Sequence, residues 1–80
     1  MLNGNFITTR QLAAIDKVYS RFSKYASISE RIKYCSNLLQ RTENFLTENK
    51  TLATEHILKT SMEIIIATRE EINSLSIQKN

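Results

Sequence analysis

Nucleophilic and acid–base catalysis need a histidine or its equivalent held beside an orienting acid, and this chain contains one histidine, His56, one aspartate, Asp16, and one cysteine, Cys35. The spacing puts His56 on the polar side of a C-terminal helix, where solvation is the expected role. Glu70 and Glu71 are adjacent, so on a helix their carboxylates diverge by about 100° and cannot work as a convergent pair. With Gly4 the only glycine, no loop can cradle a phosphate. One Cys and one His are too few for a structural zinc site, and a single Cys excludes an internal disulfide. The expectation is a protein that is not an enzyme, with no cofactor, no metal and no small-molecule substrate. Asn49-Lys50-Thr51 matches a glycosylation acceptor, read here as a chance match. Cys35 falls in the middle of an apolar stripe, with no Lys or Arg on its face to stabilise a thiolate, and is read as a core residue.

The polar pattern with the clearest chemistry is cationic. On one continuous helix, Arg10, Lys17, Arg21 and Lys24 fall within about 60° of arc, opposite a stripe of Leu12, Ile15 and Phe22. Such a face can track phosphates or meet an acidic surface; its plainer role is a solvated exterior. The net charge of +3 divides unevenly: residues 1–41 carry seven Lys/Arg and two acids, giving +5, and residues 42–80 carry four and six, giving −2. No glycine-containing turn marks a compact helix-turn-helix, and Tyr19, Phe22, Tyr25, Tyr34 and Phe45 lie on or beside apolar seams, as packing residues do.

These residues require helices to position them. There is no proline, and after Gly4 no glycine, so nothing beyond about Thr8 ends a helix by steric exclusion. The chain reads as all-α: a helical hairpin plus a long C-terminal helix, in a small bundle that is dimeric or completed by a partner. A short arm covers 1–8, with a single helical domain over 9–75 and a frayed tail over 76–80. The first helix, about 9–25, carries Leu12, Ile15, Tyr19, Phe22 and Ala26 at alternating spacings of three and four. Ser27 and Glu30 form a capping box that opens a second helix, about 28–48, although a continuous rod through Ala26 is also open to this sequence. Asn49 is expected to close the second helix in a left-handed conformation, with Thr51 capping a third over about 52–75. At 1.5 Å per residue this third helix is about 36 Å long, enough to project beyond its own bundle.

The third helix also carries more apolar surface than one seam uses. Met62, Ile64, Ile65, Ile66 and Ala67 are interrupted only by Glu63, and neighbours stepping by about 100° cannot share one face. An 80-residue chain buries only about 60% of its unfolded surface, so the band points to cover from outside. The partner or oligomer interface is therefore placed at Met62, Ile64, Ile65, Ile66 and Ile72, with Ile65→Glu expected to dissociate the assembly or unfold it. The function expected is a protein-protein interaction module, an adaptor, co-chaperone, inhibitor or regulator, working as a homodimer or on a helical protein partner. The alternative is a small dimeric nucleic-acid-associated regulator using the basic face. No stretch approaches the ~20 apolar residues of a membrane span and no basic segment leads into an apolar run, so a cytoplasmic protein is expected.

Ile57-Leu58-Lys59-Thr60 and Met62-Glu63-Ile64-Ile65 resemble stretches of small dimeric connector regulators of biofilm formation, over under a quarter of the chain. The general pattern is also similar to small helical co-chaperones of bacterial secretion systems. Both resemblances imply a small helical protein acting through contacts with other proteins.

Overall fold

The computed structural model describes residues 10–79, and the arm expected at 1–8 lies outside them. The described chain is all-helical: α1 (Leu12–Ile15), α2 (Lys17–Phe22), α3 (Ile28–Asn49) and α4 (Glu55–Lys79). α3 and α4 form a long antiparallel hairpin, and α1 and α2 lie across one side of it, with α1 against α4.

One helix was expected over 9–25, and two short ones form. The break is at Asp16, whose backbone is extended (φ −119°, ψ 102°). Its carboxylate accepts from the Tyr19 amide at 3.0 Å, capping α2, and its second oxygen accepts from the Tyr34 hydroxyl at 2.7 Å. A short acidic side chain readily offers the backbone an alternative to helix, and the tertiary bond from Tyr34 selects it here. The kink lets Leu12 and Tyr19 both reach full burial.

The Ser27 capping box is present. Ser27 Oγ accepts from the Glu30 amide at 3.1 Å, and the Glu30 carboxylate accepts from the Ser27 amide at 2.8 Å. Those bonds, the backbone one first, hold the Glu30 carboxyl below its ordinary 4.5. The cap therefore contributes at neutral pH and is lost as pH falls through that lowered value. Ser27→Ala is expected to lower stability by about 1 kcal/mol, read as a shift in the urea midpoint with unchanged slope.

The other end of α3 differs from expectation. No described residue has a positive φ, and Lys50 ends the helix in the right-handed region. The Leu52 and Ala53 amides donate to the Asn49 carbonyl, at 2.9 and 2.8 Å, so a tightened last turn satisfies it without a left-handed residue. The cap of α4 is Thr54, whose hydroxyl accepts from the Ile57 amide at 3.2 Å, and α4 begins at Glu55. It runs on to Lys79, past the expected limit of Leu75, which is fully buried and anchors the last turns.

The α3–α4 seam is built from small side chains. Cys35 and Thr42 of α3 and Ser61 and Thr68 of α4 are buried, and their low volume lets the two backbones approach closely. Both threonines satisfy their hydroxyls within their own helix, Thr42 on the Leu38 carbonyl (2.8 Å) and Thr68 on the Ile64 carbonyl (2.6 Å). Above this seam sits the main core of Leu12, Tyr19, Cys35 and Ala67, flanked by Ile15, Phe22, Tyr34, Leu38 and Ile72. Tyr34 joins two aromatic contacts, with its ring centroid 5.2 Å from Tyr19 and 5.4 Å from Phe22.

Candidate interaction surface

The band on α4 is divided between two faces. Ile65 is 6% exposed, and Ala67 and Leu75 are fully buried. Ile64 turns toward α1, lining a hollow with Leu12, Ile15 and Leu38, and Ile72 packs on the main core. α1 thus covers the flank of α4 that α3 leaves open. Ile66 is half-buried, and Met62, four residues earlier on the same face, is 48% exposed.

The larger apolar exposure lies just before the band. Phe45 at the end of α3, Leu52 in the connection, and Ile57, Leu58 and Met62 in the first turns of α4 are all exposed, Leu52 to 79%. All five belong to the turn-side part of the hairpin. Charged and polar side chains of both signs surround them: Glu48, Lys50, Glu55, His56 and Lys59, all exposed. Leu52 and Phe45 escaped the sequence reading because they lie outside the dense band. The signal available was an apolar Leu52 in a connection that otherwise has none of its size. Val18, Tyr25 and Ile77 are also exposed, but singly, as surface hydrophobes ordinarily are.

The four cations of the expected basic face do not form one. Arg10 precedes α1 and makes a bidentate pair with Glu63, Nε to Oε2 and Nη2 to Oε1, both 3.0 Å. This contact pins the entry of the chain against α4 and holds the Glu63 carboxyl below its ordinary range. Lys17, Arg21 and Lys24 are exposed, on α2 and the connection after it. The break at Asp16 separates them from Arg10 along the chain.

A half-buried polar network that no local pattern announces ties α2, α3 and α4 together. The Tyr19 hydroxyl donates to Glu71 Oε2. Arg31 donates through Nη2 to the same oxygen (3.0 Å) and through Nε to the Tyr19 oxygen (3.2 Å). Burial, and then the Glu71 carboxylate, push the Tyr19 phenol well above its usual range, so it stays a donor. Tyr34 is pushed up to about 12 by burial and by Asp16.

The groups considered for chemistry are apart. His56 is exposed at the start of α4, Asp16 is occupied by Tyr19 and Tyr34, and Cys35 is buried. Burial raises the Cys35 thiol to about 11, which suppresses the thiolate. A maleimide or disulfide reagent at pH 8 is expected to label Cys35 at the rate of global opening, and labelling as fast as a free thiol would contradict its place in the core. Among the described residues, no three His, Cys, Asp or Glu side chains are grouped as metal ligands would be, and no helix is long and apolar enough to cross a membrane.

No protein-family model, curated protein or solved structure matches the chain.

Proposed function

We propose that this protein is a non-catalytic interaction module, an adaptor or regulator, that pairs with a second copy of itself through the end of the α3–α4 hairpin. The observation that carries this reading is the exposure of five large apolar side chains, Phe45, Leu52, Ile57, Leu58 and Met62, in the turn-side part of the hairpin. Their rim favours a copy of the same surface. Glu48 and Glu55 stand among Lys50 and Lys59, and a two-fold axis can set each acid against a base of the other copy. A surface confined to the end of one hairpin is smaller than the ~800 Å² each partner gives to a standard interface, so the dimer is concentration-dependent. Met62 belongs to this surface, with Ile66 at its edge. Ile64, Ile65 and Ile72 support it from the protomer's own core.

Leu58→Lys combined with Met62→Lys is expected to abolish concentration-dependent association in sedimentation velocity and to leave helicity and melting unchanged, because both side chains are already exposed. Association that survives the double substitution would move the interface elsewhere.

A further inference from the structure

A second surface is independent of the apolar hairpin end. The outer side of α3, turned away from α4, carries Lys33, Asn37, Gln40, Arg41 and Asn44 within about 100° of arc. No apolar and no acidic residue interrupts this arc between Lys33 and Asn44. Its two acids stand at the ends: Glu30, whose carboxylate is engaged by the Ser27 amide, and Glu48 in the last turn. Tyr34, Asn37, Gln40, Arg41 and Asn44 line a shallow groove along it. α2 lies beside this side of α3, where Phe22 stacks on Tyr34 and lines a hollow with Glu30, Lys33 and Asn37, and Lys17 and Arg21 of α2 and the following Lys24 are exposed.

The cations of α2 and of this side of α3 stand outside the ion pairs of the described chain. Among the described residues, Lys17, Arg21, Lys24, Lys33 and Arg41 make no ion pair, whereas Arg10, Arg31 and Arg69 are paired with Glu63, Glu71 and Glu43. Of the other acids near α2, Asp16 already accepts from Tyr19 and Tyr34, and Glu30 from the Ser27 amide.

We propose that this side of α3 binds double-stranded DNA, with the helix in the major groove and the cations of α2 on the phosphates. Cations alone would suit any polyanion; the amides between them are what select. Asn and Gln can bond bidentately to adenine, and Arg to guanine, at major-groove edges. Lys33 to Asn44 spans about 16 Å of helix, roughly the rise of five base pairs. Double-stranded RNA offers no equivalent, because its major groove is too deep and narrow for a helix to enter. Lys17, Arg21 and Lys24 contribute affinity and register without reading sequence.

The test is fluorescence anisotropy of the full chain on a labelled mixed-sequence DNA duplex of about 20 base pairs, an RNA duplex of the same sequence, and heparin. The expected result is DNA binding that weakens with salt, with a log–log slope no steeper than about −4.5 for five cations. Lys33→Glu with Arg41→Glu should weaken it about tenfold or more at unchanged helicity, and Asn37→Ala with Gln40→Ala should flatten the preference among duplex sequences. No DNA binding at low salt overturns the proposal. So does equal binding of RNA or heparin, or charge reversal on α3 without effect. Since Leu58→Lys/Met62→Lys leaves α3's outer side untouched, each surface can fail without the other.

Discussion

Ile65→Glu is expected to unfold the protomer. Ile65 is 6% exposed on the α3–α4 side of α4, with no basic side chain bonded near it to accept a carboxylate. Burying an unpaired charge there, together with losing an isoleucine from the seam, costs about 4 kcal/mol or more. An 80-residue domain has only ~4–12 kcal/mol of stability in total. Circular dichroism at 222 nm should show most of the helix signal lost at 25 °C, or a melting transition lowered by tens of degrees. Native-like melting would show that Ile65 is not the core residue described here. Met62→Lys, three residues away, is the control and should melt as the unmodified protein does.

The second large effect is at Tyr19, fully buried where α2 meets both long helices. Tyr19→Ala removes the largest buried side chain and is expected to destabilise by about 3–5 kcal/mol, close to the whole margin. Tyr19→Phe keeps the packing and removes only the hydroxyl. Arg31 and Glu71 retain each other at 3.0 Å and are each about a quarter exposed or less, so water can replace what they lose. A loss near 1 kcal/mol follows, a fall in Tm of about 4–8 °C. If Tyr19→Phe were as damaging as Tyr19→Ala, the polar network and not the aromatic packing would dominate this corner.

What could be read before the structure was whatever local periodicity and chemistry determine. The Ser27–Glu30 box names both partners of a helix start within four residues. The stripe through Cys35 placed that thiol in the core, and the absence of proline and of internal glycine leaves helix as the only long-range option. Asp16 was missed because the apolar spacing runs through it without a defect. The decision lies with Tyr34, eighteen residues on, and no helical period encodes that contact. The Tyr19–Arg31–Glu71 network is hidden for the same reason, its members being 12, 40 and 52 positions apart. The turn at Asn49 was read by propensity, but two amides folding back on one carbonyl satisfied the helix end with no left-handed residue.

The apolar band was resolved in part by this missing geometry. A single straight first helix leaves one flank of α4 bare, whereas the kink at Asp16 lays α1 across Ile64 and Ala67. The surplus that remains is smaller than the band implies and lies nearer the hairpin turn, at Phe45, Leu52, Ile57, Leu58 and Met62. Leu12, Ile15 and Ile64 show why: they meet only because two short helices cross the hairpin at its middle, leaving its end uncovered by any described residue.

The most direct measurement is the mass of the unmodified protein in solution. Light scattering across a concentration series from micromolar to near-millimolar should give a value rising from the 9.3 kDa of one chain toward twice that. A constant 9.3 kDa over the whole range would contradict pairing through the hairpin end.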